Sequence, residues 1–118
     1  TSVAVTLHDI ARIMRAKGDL DGALAQFEEV LRIYEKAYGT REHTSVAETL
    51  HEIALIMAVK GDVDGALAQF EEVLRIEEKA YGTREHTDVA VTLANIAGII
   101  RDKGDVDGAL AQFEEVLR

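Results

Sequence analysis

The sequence predicts an all-α solenoid of three helix-turn-helix repeats, six helices in all with the last one truncated. Three observations predict it. The stretch GDLDGALAQFEEVLR at 18–32 returns as GDVDGALAQFEEVLR at 61–75 and 104–118. Gly18, Gly61 and Gly104 lie 43 residues apart, as do Thr1, Thr44 and Thr87, and a period of about 20 to 50 residues marks a stacked array. Apolar residues inside each period recur at steps of three and four, the spacing of a helical face. Proline is absent, so no helix is forced to stop.

The first helix of unit one follows Thr1 and ends near Lys17, with Val3, Leu7, Ile10, Ala11 and Met14 as its apolar stripe. Gly18 supplies a left-handed stop. Asp19 caps the next helix, and Asp21 sits in its positive first turn. That second helix carries Leu20, Ala23, Leu24, Phe27, Val30, Leu31 and Tyr34 at helical spacing and runs to about Tyr38, with Gly39 as its stop. Residues 40–43 turn into unit two, where Thr44 or Ser45 can cap. The pattern then repeats, giving one domain over 1–118 made of units 1–43, 44–86 and an incomplete 87–118. A lone hairpin of this size cannot bury its apolar stripe, so stability comes from stacked neighbours. Ala11, Ala23, Ala54, Ala66, Ala97 and Ala109 mark the close approaches between helices.

The totals exclude several function classes. The chain has 118 residues, no cysteine, and a net charge of −9. Disulfides, thiolate metal sites and a cysteine nucleophile are ruled out. The acidic balance disfavours nucleic acid and anionic membrane surfaces, both of which need clustered Lys and Arg. Arg12, Arg15 and Lys17 interrupt the first segment, so it does not read as a secretory leader. The expected location is cytoplasmic.

GDLDGALAQF resembles the Gly-Asp-aromatic-x-x-Ala-x-x-x-aromatic core of the tetratricopeptide repeats. Leu7, Ile10, Ala11 and Met14 match that family's first-helix core positions, and Ala23, Phe27 and Val30 its second-helix positions. The longer unit, with LRIYEKAYG before a His-Thr turn, is similar to the kinesin-light-chain subclass. The resemblance covers the whole chain and implies a right-handed superhelix whose concave groove is lined by the first helices. It departs from the subclass in having His43-Thr44 where His-Pro is usual, and Leu7 and Met14 where Trp and Tyr are common.

The copies differ mainly on one face of the first helix: Val5/Glu48/Val91, His8/His51/Ala94, Asp9/Glu52/Asn95, Arg12/Leu55/Gly98, Arg15/Ala58/Arg101 and Ala16/Val59/Asp102. In the second helix Leu20 becomes Val63 and Val106, and Tyr34 becomes Glu77, while its solvent face barely moves. Neutral drift would have touched both solvent faces. The copied segment therefore reads as scaffold. By resemblance, the drifting face is the peptide-reading surface: Val5, His8, Asp9, Arg12, Arg15, Glu48, His51, Glu52, Leu55, Val91, Asn95, Arg101 and Asp102. The mixed charges suit an extended or helical peptide of mixed charge, bound weakly or moderately. Only Asn95 matches the Asn that holds ligand backbone in that subclass. Near-identity of the copies points to recent amplification, or to an array assembled from one unit.

No catalytic set appears: there is no phosphate loop, nucleophile elbow or cysteine nucleophile. Asp19-x-Asp21-Gly22 echoes a calcium loop, but Lys17 occupies the first ligand position, and the flaw recurs at Lys60 and Lys103. His8 and His51 lack an evident third ligand for zinc. No cofactor and no metal are expected. His43 and His86 read as turn residues bonding loop backbone. The alternative function is structural. Solenoids need polar caps, and the uncapped ends of this chain invite a homo-oligomer, end-to-end or domain-swapped.

Overall fold

Six helices form three antiparallel hairpins: α1 (Ser2–Ala16) with α2 (Leu20–Tyr38), α3 (Thr44–Val59) with α4 (Val63–Tyr81), and α5 (Thr87–Asp102) with α6 (Val106–Val116). The computed structural model describes residues 2–83, 86–102, 104 and 106–117, and among these there is no strand. Each hairpin closes on itself, and the second helix of one packs on the first helix of the next, α2 on α3 and α4 on α5. The result is a slab of 42 × 33 × 18 Å.

The helix boundaries follow local chemistry. Gly18, Gly61 and Gly104 turn the chain at φ near +90°, and Gly39 and Gly82 end α2 and α4 at φ near +70°. L-residues avoid this left-handed region at a cost of about 1–2 kcal/mol. Asp19 and Asp62 then cap α2 and α4, each accepting from the N–H three residues on, at 3.0 Å. The expected cap of α3 by Thr44 or Ser45 is corrected by the structure. His43 is the N-cap, and its Nδ1 accepts the Ser45 N–H at 3.1 Å. Tyr38 holds that ring in place by stacking on it at 3.7 Å between centroids. His86 does the same for Asp88 N–H while stacked on Tyr81.

The core runs as a ribbon along the stack. Ala4, Val30, Tyr34, Val46, Leu50, Val73 and Ile76 form one cluster, and Ala11, Ala23, Phe27, Ile53 and Ile56 another. Ala54, Phe70 and Ile96 continue it. Ala11, Ala23, Ala54, Ala66 and Ala97 are fully buried where helices meet; the side chain of Ala109 lies outside the described residues. The expected stripe of α1 needs correction. Of that stripe Val3 is 63% exposed and Ile10 42%, and Ile13, which was not assigned to it, is 60% exposed, whereas their counterparts Val46, Ile53 and Ile56 are 0%, 5% and 0% exposed. The reason is position in the stack, because α2 covers α3 and none of the described helices covers that face of α1. At the other end Leu110 and Leu117 are exposed, while their counterparts Leu24 and Leu31 pack against the second cluster.

Candidate functional site: a groove across the first helices

A hollow of about 360 Å³ opens where α1, α3 and α5 run side by side, lined by His8, Arg12, Ala47, Glu48, His51, Glu52, Glu77, Asp88 and Val91. Residues 8, 12, 48, 51, 52 and 91 belong to the face on which the copies differ. The helical period places positions 5, 8–9 and 12 of each unit on one side, away from the core stripe, and stacking brings three such sides together.

The two histidines are built alike. Each ring stands edge-on against a core phenylalanine, His8 on Phe27 at 5.1 Å and His51 on Phe70 at 5.2 Å. Such edge-to-face contacts fix the ring as well as burying it. Burial pushes the His51 imidazole below its ordinary range, more than neighbouring Glu52 raises it, so the ring is neutral near pH 7. The Asn95 amide nitrogen lies 3.5 Å from its Nε2, linking α5 to α3.

The other expected residues divide by what they touch. Arg15 does not line the hollow itself but pairs with Glu52, which does, with Nη1 2.7 Å from Oε2, and so ties α1 to α3. Leu55 packs against the Ala54, Phe70 and Ile96 cluster. Arg101 pairs with its neighbour Asp102 at 3.6 Å on the last turn of α5. Val5 and Asp9 are exposed on α1, outside the hollow. Val91 is exposed at the rim on α5.

Three lining residues were not anticipated: Ala47, and the two acids Glu77 and Asp88. Glu77 is only 8% exposed, and its Oε1 accepts the Thr92 hydroxyl at 2.7 Å. Burial pushes its carboxyl up, and the nearby Asp88 adds to this. Asp88 accepts the Tyr81 hydroxyl at 2.8 Å, and that bond is the main reason the phenol is pushed up to about 12. A signal for both acids existed in the sequence. Tyr34→Glu77 is the one non-conservative change between the first two copies of the second helix, and Ser45→Asp88 opens the third first helix.

The hollow therefore holds four carboxylates, Glu48, Glu52, Glu77 and Asp88, against the single guanidinium of Arg12. Glu52 is already engaged by Arg15. Concave walls of low dielectric focus such a field. Among the described residues no group of three or more His, Asp or Glu is placed to hold a metal ion. No helix among them is long and apolar enough to cross a membrane.

Stacked helical hairpins with side chains converging along one face define an α-solenoid repeat protein. A tetratricopeptide-repeat family model matches residues 2–76 and again 45–118, so the chain belongs to the tetratricopeptide repeat family. No curated protein matches it. Among solved structures it is similar to a protein of Podosopora anserina described as a putative kinesin light chain with nearly identical TPR-like repeats: 26% identity, TM-score 0.80, covering 96% of this chain and 53% of that one. A point variant of the same protein matches at 26% identity and TM-score 0.79, over 96% and 52% of the two chains. BtubC (BKLC) from P. vanneervenii shares the fold at TM-score 0.85 and 22% identity, over 98% and 46%. The chain thus spans about half the length of the structures it matches. The repeats are of the kinesin-light-chain kind, and repeats of this family generally mediate protein–protein interaction.

Proposed function

We propose that the chain is a non-enzymatic scaffold that holds a peptide segment along the first-helix groove. The observation that carries this reading is convergence: residues that differ between otherwise near-identical units meet around one hollow. The lining also suggests the ligand's chemistry. A Lys or Arg side chain suits the Glu48 and Asp88 side, an acidic one suits Arg12, and the apolar stem of a long side chain can lie on Ala47 and Val91. The test is a fluorescence-anisotropy screen of labelled peptides whose central residue is Lys, norleucine or Glu, against the chain and its Arg12→Glu and Glu48→Lys variants. Neither residue is buried, so both variants fold. The expected result is binding that each charge reversal weakens or redirects. Binding that neither reversal alters would overturn the reading.

A second reading, self-assembly, is favoured by the exposure of Val3, Ile10 and Ile13 on α1. Their counterparts on α3 are covered by α2, and α6 carries nearly the sequence of α2. In this reading the α6 of a second copy covers α1 as α2 covers α3. Light scattering after size exclusion at several concentrations decides it. A steady 12.9 kDa species removes this reading, and a mass that climbs with concentration supports it.

A further inference from the structure

The buried positions of the two seams repeat, with Val46/Val89, Thr49/Thr92, Leu50/Leu93, Ile53/Ile96 and Ala54/Ala97 on the first helices and Val30/Val73 on the second, and one chemical exchange stands among them. At the first seam Tyr34 is buried against α3, with its ring stacked beside Tyr38 at 5.7 Å. At the second seam the same position holds Glu77, buried to the same extent, with Thr92 of α5 as its hydrogen-bond donor. An aromatic ring that belongs in an apolar seam has become a carboxylate that does not. We infer that Glu77 makes the seam between the second and third repeats proton-sensitive: α5 docks tightly when the carboxyl is protonated and loosens when it is ionised.

The surroundings set the direction. From α5, Thr92 donates to Glu77 and Asp88 stands close by as a second anion. From the turn before α5, the His86 imidazole favours the charged form. From α3, Glu48, His51 and Glu52 share the same hollow, and His8 and Arg12 of α1 form its far wall. On its own helix Tyr81, bonded to Asp88, feels the Glu77 charge from one turn further on. Burial comes first among the causes and Asp88 reinforces it, so the carboxyl is held above its ordinary 4.5 despite Thr92 and His86. For a group raised on folding, the stabilisation is complete below the unfolded value and disappears as pH rises through the folded one. The seam is therefore at its firmest in mild acid and weakest at neutral pH. His51 works the other way: it is held neutral by burial, so acid charges it and loosens the same wall. The pH response of the unaltered chain mixes both effects, and only a comparison at position 77 separates them.

The hollow is walled by α3 on one side of this seam and by α5 on the other. If the groove holds a peptide, a consequence that rests on the function proposed above, its width there is under proton control. The seam's own response needs no ligand, so the two ideas fail separately.

The experiment is amide hydrogen exchange on the ligand-free chain, read over 87–102 with 44–59 as internal reference. The chain is compared with Glu77→Gln, a neutral isostere that keeps the Thr92 bond, and with Glu77→Tyr, which copies the first seam. At about pH 7.5 both variants should slow exchange across α5 by about fivefold or more, and as pH falls below the ordinary 4.5 the difference should shrink towards none. The reference helix should differ far less between the proteins. Equal protection of α5 in all three proteins at neutral pH, or a difference that pH does not change, would overturn the inference.

Discussion

Asp62 shows what one side chain contributes here. Its Oδ1 accepts the Gly65 N–H at 3.0 Å, satisfying one of the donors that a helix start leaves open. Asp62→Ala removes that acceptor from an exposed position without opening a cavity. The expected loss is about 1 kcal/mol, read as a lower urea midpoint with unchanged slope. Asp62→Asn, which keeps an acceptor, should recover most of it. This cap was legible in the sequence, because a short acid after a glycine stop has few other roles. Glu77 was not legible in the same way. The replacement of Tyr34 on the apolar stripe was visible, but only the structure shows that Glu77 lies at the edge of the hollow with Thr92 as its partner. A substitution seen in sequence tells what changed; whether it is paid in desolvation depends on what packs over it.

Among the elements, the entry to α3 departs most from expectation. Thr44 and Ser45 are good caps by residue type, yet the helix begins one residue earlier and an imidazole accepts the bond. The sequence held both halves of the explanation, Tyr38 and His43, but not their stacking across the turn, which depends on the path set by Gly39. The arrangement recurs at Tyr81 and His86, so it belongs to the unit rather than to one seam. His43→Phe keeps an aromatic ring on Tyr38 and loses the Nδ1 acceptor. It should cost about 1 kcal/mol, the usual value of a lost cap, measured by urea unfolding. Almost no loss, against a clear loss for His43→Ala, would mean that stacking rather than capping is what the histidine supplies. The same limit applies to the groove. The variable face was readable from the copies, whereas Arg15 turning to Glu52 and Leu55 turning to the third cluster required the packing of neighbouring helices.

At the scale of the whole molecule, identical residue types acquire different worth from their place in the stack. Ile13 and Ile56 sit at the same position of successive units, and by sequence nothing separates them. In the folded chain Ile13 is largely exposed, while Ile56 is sealed between α2 and α3 beside Phe27. Stability in such an array resides in the interfaces between units as much as within them. Ile56→Ala deletes packed methyl groups from an interface and should cost about 2–4 kcal/mol, by lost transfer energy and by the cavity left behind. Ile13→Ala touches no such interface in the isolated chain and should stay within about 0.5 kcal/mol. The check is urea unfolding of both variants at low and high protein concentration. Equal losses at both concentrations for Ile56→Ala, with almost none for Ile13→Ala, mean a stack whose first face is open to solvent. If Ile13→Ala becomes costly only as concentration rises, that face is being covered by another copy, because association stabilises a fold by mass action.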